Sequence, residues 1–165
     1  MPKSDITQPA ALPAGIYQRF GDWHELLPVW RAAVEATHHF LSVKDIDFYK
    51  EVVIRFLPEL GVWVFSQPPG TTVQGFMGLS NNKVEMLFVN PAFHGRGVGS
   101  ALLEFARRLY GPLSVDVNQQ NQGAHAFYLK MGFQELGRSD LDGSGRPFPI
   151  IHMQQPVDPS DQGPL

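Results

Sequence analysis

A glycine-rich turn between an apolar strand and an amphipathic helix constrains this chain more than any other feature. The strand-like run from Val84 stops at Asn90-Pro91, and His94-Gly95-Arg96-Gly97-Val98-Gly99 then leads directly into a helix. Alternate glycines permit unusual backbone conformations and keep Cβ atoms away from outward-facing N–H groups. Those N–H groups and the positive end of the helix dipole form a site for phosphate-type anions. The turn therefore predicts binding of a phosphorylated cofactor.

Spacing separates this turn from two other glycine-rich phosphate sites. A P-loop ends in Gly-Lys followed by Ser or Thr, whereas here Gly99 is followed by Ser100 with no lysine. The dinucleotide fingerprint GxGxxG also fails, because its third glycine falls on Ser100 counted from Gly95 and on Leu102 counted from Gly97. A strand–helix connection that merely tolerates glycine is the remaining alternative.

Hydrophobic periodicity predicts seven strands and four helices in the order β-αα-βββ-α-β-α-ββ. The strands are expected at residues 15–20, 62–65, 73–80, 84–89, 113–117, 133–139 and 149–153, and the last two helices at 98–109 and 121–131. A strand–helix–strand crossover of this length favours parallel neighbours. The order therefore indicates an α/β (α+β) fold with a mixed sheet of about six to seven strands and flanking helices.

Capping signals predict the first two helices. Asp22 and Glu25 have capping-box spacing, although Pro28 indicates a kink or a later start. Ser42 and Asp45 have the same spacing before a second amphipathic helix. The apolar face predicted for this second helix consists of Ile46, Tyr49, Val52, Val53, Phe56 and Leu57.

Composition narrows the class of protein. The 165 residues carry a net charge of −3, so no overall attraction to nucleic acid or to an anionic membrane is expected. No apolar run approaches the ~20 residues that span a bilayer, and the first residues lack a signal-peptide core, so a cytoplasmic location is expected. We expect a flexible N-terminus at 1–14, a single domain at 15–153 and a disordered tail at 154–165.

Two segments together resemble the GCN5-related N-acetyltransferase (GNAT) family. One family signature is Gln/Arg-x-x-Gly-x-Gly/Ala after the fourth strand, and the turn matches it except that His94 stands where Gln or Arg is usual. The other, Asn-x-x-Ala-x-x-Phe-Tyr-x-Lys-x-Gly-Phe, matches residues 121–133 at every position. The element order is also similar, so the resemblance covers Gly15 to Met153. Segments 36–41 and 137–149 resemble a small bacterial subgroup of uncharacterised acetyltransferases.

The resemblance implies the GNAT acyl-CoA N-acyltransferase fold and acetyl-CoA as cosubstrate. No metal is predicted, because neither His38 nor His39 has the i, i+4 partner of a helical metal pair. In this family the pantetheine arm runs antiparallel along the fourth strand, here Leu87 to Val89, and a free N–H near Val89 faces the thioester oxygen. The strands that begin at Val84 and Leu113 are expected to splay apart to admit it. The cofactor-binding residues implied are Leu87, Phe88, Val89, His94, Gly95, Arg96, Gly97, Val98, Gly99, Ser100, Asn121, Phe127 and Tyr128.

The resemblance makes Tyr128 the predicted general acid for the departing thiolate. The alternative is a core aromatic residue beside Phe127 on an apolar helix face. Asn121 is implied to contact the pantetheine arm, and it has the residue type of a helix cap as well.

Glu85 is the predicted general base, because it is an acidic residue inside an otherwise apolar strand. Alternation places it on the face of Leu87 and Val89, opposite Val84, Met86 and Phe88. A half-buried carboxylate there can have a raised pKa and act through water. The alternative is a strand-edge carboxylate that faces solvent.

The acceptor side is implied to include His38, His39, Phe40 and Asn118, with a structural histidine or a helix cap as the alternatives. The chain has no cysteine, which favours direct attack of a primary amine on acetyl-CoA. That acceptor is a small molecule or a peptide. A non-catalytic acyl-CoA sensor or interaction module of the same fold is the alternative function, and a dinucleotide-binding module is a more distant one. A homodimer is left open, since many relatives dimerise.

Overall fold

The computed structural model describes residues 13–68, 72–157 and 159 and shows a mixed sheet with helices on both faces. The observed order of strands and helices confirms the α/β fold that the sequence predicts. The elements are β1 (Ile16–Arg19), α1 (Leu27–Thr37), α2 (Val43–Phe56), β2 (Gly61–Phe65), β3 (Gly75–Ser80), β4 (Lys83–Val89), α3 (Val98–Tyr110), β5 (Ser114–Asn118), α4 (Gln122–Lys130), β6 (Gln134–Ser139) and β7 (Ile150–Gln154).

The seven strands lie in the order β1-β2-β3-β4-β5-β7-β6. Every neighbouring pair is antiparallel except β4 and β5, which are parallel as the crossover through α3 requires. These two strands pair only at Lys83 with Ser114 and at Val84 with Val115. Beyond Val84 and Val115 they separate, and we call the space between them the β4–β5 gap.

Each face of the sheet buries its own hydrophobic core. The first core includes Leu102 and Phe105 of α3, Tyr128 of α4, and Val115 and Val117 of β5. The second core lies on the opposite face, where α1 and α2 pack against β2, β3 and β4. The gap therefore opens toward α3 and α4 on one side and toward the α1–α2 face on the other.

The two predicted capping boxes have different outcomes. Ser42 and Asp45 form one, with the Ser42 hydroxyl accepting from the Asp45 N–H at 3.1 Å and the Asp45 carboxylate accepting from the Ser42 N–H at 2.9 Å. The prediction for Asp22 and Glu25 is wrong. Asp22 has a left-handed backbone (φ 55°) and makes no side-chain cap, while Glu25 pairs with Arg19 at 2.5 Å. Helix α1 starts later, as Pro28 indicated.

The predicted apolar face of α2 is only partly correct. Ile46 and Val53 are buried, as is Leu57 in the short turn that follows the helix, but Phe56 is 48% exposed. No helix in the described residues is long and apolar enough to cross a membrane.

The predicted start of the C-terminal tail at residue 154 is two residues too early. Gln154 ends β7. Gln155 is buried, and its side-chain amide accepts from Leu113 N–H and donates to the Met131 carbonyl, each at 3.1 Å. Of the two predicted flexible ends, the structure describes only residues 13, 14, 154–157 and 159. The other residues of these ends lie outside the described part of the chain. The single domain at 15–153 stays a prediction.

Candidate active site

The edge of β4 that faces the gap carries backbone donors without a strand partner. Asn90 N–H donates to the Gln74 carbonyl at 2.8 Å, on the β3 side. Because alternate residues of an antiparallel strand point their N–H groups to the same neighbour, Phe88 also faces β3, whereas Leu87 and Val89 face the gap. No β5 residue pairs with them. The structure thus provides two N–H donors of the kind that was expected near Val89.

The glycine turn presents the N-terminus of α3 beside this edge. Gly97 precedes the helix with φ 79° and supplies no side-chain cap, so the N–H groups of Val98, Gly99 and Ser100 have no acceptor within the helix. Gly99 serves close packing instead, because a Cβ there would lie 3.3 Å from the Phe127 ring. The helix end therefore fits an anionic phosphate group.

His94, which replaces the usual Gln or Arg, binds the backbone of the same region. Its Nε2 donates to the Val89 carbonyl at 2.9 Å, which connects the turn to the end of β4. Arg96 is exposed, and its guanidinium lies 5.5 Å from the centre of the Phe93 ring. Gly95 takes a left-handed conformation (φ 75°) between these two residues. His94 thus supports the backbone of the turn.

Tyr128 lies in the first core and has the free hydroxyl that an acid needs. Its ring is 7% exposed and meets Phe127 and Phe133 edge to face, with centroids 5.2 and 5.1 Å away. Burial raises the pKa of the Tyr128 hydroxyl above its ordinary value, so it stays protonated. No described residue hydrogen-bonds this hydroxyl, which leaves it available to a ligand.

Asn121 and Asn118 each organise the backbone at the start of α4. The Asn121 side chain accepts from the Ala124 N–H at 3.1 Å, which is the helix cap suggested by the sequence. The Asn118 side chain accepts from the Gln120 N–H at 3.2 Å in the turn after β5.

Glu85 lies at a β-bulge that the sequence pattern did not reveal. Val84 pairs with Leu79 and Met86 pairs with Gly78, which leaves Glu85 as the extra residue on β4. A bulge interrupts alternation, so Val84 joins the first core while Met86 joins the second, and their predicted shared face is wrong. Glu85 is exposed as a whole residue, but its side chain is only 30% exposed, and its carboxylate lies 3.8 Å from Lys83 Nζ.

On the acceptor side, His38 is held as a neutral imidazole between α1 and α2. The Thr37 hydroxyl donates to the Ala33 carbonyl at 2.7 Å, so it accepts from His38 Nδ1 at 2.7 Å. This assignment leaves Nε2 as an acceptor. Burial, together with the nearby His39, lowers the pKa of His38 to about 4. Among the described residues no group of three or more carboxylate or imidazole side chains is placed to hold a metal ion.

The loop between β6 and β7, residues 140–149, packs on α2. The Tyr49 hydroxyl donates to the Asp142 carboxylate, and Arg146 binds Asp45 at 2.8 Å. The Arg146 guanidinium also lies 4.2 Å from the centre of the Phe48 ring. Together with its contact 5.6 Å from the Tyr49 ring centre, these attach the β6–β7 loop to α2 through two polar bonds and two cation–π contacts.

The attached loop brings two predicted acceptor residues into an aromatic wall. Phe148 lies 5.8 Å from Phe40, and Phe40 lies 5.4 Å from His38, measured between ring centroids. His39 remains exposed beside them. We call His38, Phe40 and Phe148 the aromatic wall.

A row of polar side chains that sequence reasoning missed crosses the sheet from β4 to β6. Asp116 accepts from His152 Nδ1 at 2.7 Å, His152 Nε2 meets the Ser139 hydroxyl at 2.6 Å, and Lys83 Nζ lies 3.0 Å from Asp116 Oδ2. We call these four residues, with Glu85, the polar row. A signal was present, since Asp116 is an acidic residue between two apolar residues of a strand, as Glu85 is.

Comparison with known proteins gives a consistent result. The family model described as acetyltransferase (GNAT) domain matches residues 58–135. The peptidyl-lysine N-acetyltransferase YjaB of Salmonella typhimurium is 39% identical over 138 residues, covering 84% of this chain and 94% of the relative. Its Escherichia coli counterpart is 38% identical over 82% of this chain and 91% of the relative.

Solved structures agree with these sequence comparisons. The solution structure of the apo form of Escherichia coli YjaB superposes with a TM-score of 0.78 at 36% identity, covering 87% of this chain and 97% of that chain. The PaiA N-acetyltransferase of Thermoplasma acidophilum, solved in complex with coenzyme A, shares the fold with a TM-score of 0.63 at 20% identity, covering 85% and 98%.

Proposed function

The chain belongs to the GNAT family of acyl-CoA-dependent N-acetyltransferases, and we propose that it transfers the acetyl group of acetyl-CoA to a primary amine by direct attack in a ternary complex. The observation that carries this proposal is the β4–β5 gap, with the N–H groups of Leu87 and Val89 on one wall. Tyr128 supplies a protonated hydroxyl from α4. Membership of the family determines the reaction class, whereas the acceptor and the acting residues depend on this chain's own site.

The chain's own groups fit acetyl-CoA from two directions. The gap-facing N–H groups of Leu87 and Val89 and the Leu87 carbonyl pair with the pantetheine amides as an added strand would. The N–H groups at the start of α3 bind the pyrophosphate. Asn121 keeps its side-chain NH₂ free for the pantetheine arm while its oxygen caps α4.

Bond formation and proton movement divide between the two sides of the gap. The amine nitrogen forms a bond to the acetyl carbon, the carbon–sulfur bond breaks, and the amine proton leaves to a base. A gap-facing N–H of β4 stabilises the carbonyl oxygen as it gains charge. A thiol has a pKa of ~8.5 and tyrosine ~10, and burial raises the pKa of Tyr128 further. Tyr128 therefore stabilises the forming thiolate by donating a hydrogen bond without giving up its proton, and the thiolate takes a proton from solvent when CoA leaves.

Glu85 stays the predicted base, acting through water from its exposed position on β4. A lysine ammonium with a pKa of ~10.4 is neutral in only about one molecule in 2,500 at pH 7, so a base is required. Lys83 Nζ lies 3.8 Å from the Glu85 carboxylate and 3.0 Å from Asp116 Oδ2, so it lies between the two carboxylates of the polar row.

We infer a lysine side chain of a peptide as the acceptor, with a small amine as the alternative. The two YjaB relatives are named peptidyl-lysine N-acetyltransferases. The acceptor side offers the carboxylates of Glu85 and Asp116 to an ammonium group, and Phe40 and Phe148 to its methylene stem. A homodimer and a cytoplasmic location stay predictions.

Amine-dependent release of CoA tests the proposal. Acetyl-CoA is incubated with the protein and a lysine peptide, thiol is measured with a coloured disulfide reagent, and the product is identified by mass spectrometry. The control peptide carries acetyl-lysine at the same position. We expect thiol release with the free lysine peptide only. Binding of acetyl-CoA without release on lysine peptides, peptide N-termini or small amines would support the non-catalytic sensor instead.

A further inference from the structure

The polar row holds one carboxylate at the closed end of the gap with one of its oxygens bound to an ammonium group. Asp116 is the first β5 residue beyond the last pair, Val84 with Val115. Its neighbours Val115 and Val117 are buried in the first core, so alternation points Asp116 to the opposite face. That face is the α1–α2 side, opposite Tyr128. Asp116 therefore lies where an amine approaches the thioester from the acceptor side.

The two oxygens of Asp116 have separate partners. Oδ1 accepts from His152 Nδ1 at 2.7 Å, and Oδ2 lies 3.0 Å from Lys83 Nζ. Because an ionised carboxylate only accepts, the hydrogen of His152 is on Nδ1, and Nε2 accepts from the Ser139 hydroxyl at 2.6 Å. Three strands thus fix the orientation of Oδ1, while Oδ2 already binds a primary ammonium.

The same partners keep Asp116 charged. Burial acts to raise its pKa, but the hydrogen bonds from His152 and Lys83 outweigh burial and lower the pKa below the ordinary value. The side chain is also 38% exposed, so an incoming group can reach Oδ2. Lys83 is itself 39% exposed and can turn toward solvent when another ammonium arrives.

We propose that Asp116 is the subsite that binds the ammonium form of the acceptor, and that His152 and Ser139 are positioning residues that hold its carboxylate in place. The acceptor ammonium takes the position of Lys83 Nζ at Oδ2 before it loses its proton and attacks. This inference rests on the proposed acetyl transfer and makes its acceptor a primary alkyl amine that is cationic in solution. Glu85 is a separate carboxylate of the polar row and has no bond to His152.

A pair of acceptors that differ in charge tests this subsite in the full chain. One peptide carries lysine, and the other carries at the same position a hydrazide, which is uncharged at neutral pH. Rates of CoA release give KM and kcat for Asp116→Asn, His152→Gln and Ser139→Ala. Asp47→Asn is the matched control, because this exposed carboxylate pairs with Arg31 outside the polar row. Glu85→Gln is measured beside it to separate loss of the predicted base from loss of the ammonium subsite. Calorimetry with CoA and thermal unfolding show that each variant folds and keeps the cofactor site.

We expect Asp116→Asn to raise KM for the lysine peptide at least tenfold and to change KM for the hydrazide by less than twofold. His152→Gln and Ser139→Ala raise KM for the lysine peptide by smaller factors, in that order, and Ser139→Thr restores it. If His152→Gln does not fold, the Ser139 pair tests the positioning role, because both variants leave the imidazole in place.

Four results overturn the subsite. Equal losses on both acceptors show a structural role for Asp116, and a lysine-specific loss in Glu85→Gln but not in Asp116→Asn moves the subsite to Glu85. Turnover of the hydrazide alone by the unchanged protein retains acetyl transfer and removes the ammonium subsite. Turnover of neither acceptor, with acetyl-CoA bound, contradicts the proposed function itself, and the subsite is rejected with it.

Discussion

The two sides of the β4–β5 gap are built from different kinds of contacts. The cofactor side consists of backbone groups and glycines that lie close together in sequence, between Leu87 and Ser100. The acceptor side depends on side-chain bonds between distant residues, 93 positions apart for Tyr49 and Asp142 and 101 for Asp45 and Arg146. Backbone recognition tolerates a change such as His94, whereas the side-chain contacts can be altered one at a time. Acceptor preference is therefore the property that substitution changes most easily.

Gly97→Val gives the largest effect expected on the cofactor side. Gly97 has φ 79°, and a β-branched residue in that conformation costs about 1–3 kcal/mol or moves the backbone. Either outcome displaces the N–H groups at the start of α3. We expect the Kd for CoA, measured by calorimetry, to rise roughly 10–100-fold.

Gly21→Val is the matched control for this change. Gly21 has no positive φ, and a Cβ there meets nothing within 4 Å. An unchanged Kd in Gly97→Val would mean that the phosphate groups bind elsewhere, and the contrast between backbone and side-chain recognition would not hold.

Tyr128→Phe removes the one side-chain group of the cofactor side to which we assign chemistry. Phenylalanine keeps the ring contacts with Phe127 and Phe133 and loses only the hydroxyl. We expect kcat to fall at least tenfold while CoA binding is kept, because the departing thiolate lacks its donor. Tyr110→Phe, at the other end of α3, is the control. Unchanged turnover would exclude Tyr128 from the mechanism.

The same contrast explains what the sequence could predict. The glycine turn, the Asn121–Phe133 motif and the Ser42–Asp45 capping box are local patterns, so spacing alone placed these residues correctly. The bulge at Glu85 depends on how β3 pairs with β4, and no local pattern determines that register. The polar row draws on four strands whose adjacency follows from the sheet order. Residues that only the folded sheet brings together carry no spacing signal.

Arg146→Met tests whether the β6–β7 loop acts on the acceptor alone. The change removes the bond to Asp45 and the cation–π contact with Phe48, so Phe148 loses support against Phe40. A partly exposed charged bond is worth about 1 kcal/mol. We therefore expect KM for the lysine peptide to rise roughly 3–10-fold, with kcat and the Kd for CoA within twofold.

Arg31→Met is the control for the loop, because Arg31 forms its ion pairs with Glu35 and Asp47 on the α1–α2 surface and not with the loop. A rise in the Kd for CoA in Arg146→Met but not in Arg31→Met would show that the loop supports both sides of the gap.

The smallest effect that we expect is a dependence of the free energy of unfolding on pH, which arises from His38. The pKa of His38 is about 4 in the folded protein and about 6.5 in the unfolded chain, chiefly through burial. Between these values the unfolded chain binds more protons, so stability is complete above pH 6.5 and falls as pH decreases toward 4. At pH 6 the loss is about 0.8 kcal/mol relative to neutral His38.

Chemical denaturation at pH 7.5 and pH 6 measures this loss in the protein and in His38→Gln, with the exposed neighbour variant His39→Gln as control. Glutamine can still hydrogen-bond Thr37 but does not titrate, so the pH difference should shrink in His38→Gln and remain in His39→Gln. The comparison with His39→Gln separates the contribution of His38 from that of the other histidines, which are the same in both variants. An equal pH difference in all three proteins would show that His38 is accessible to protons when folded. The His38 imidazole would then be a cation below pH 6.5. A cation in the aromatic wall would repel the ammonium group of a lysine acceptor.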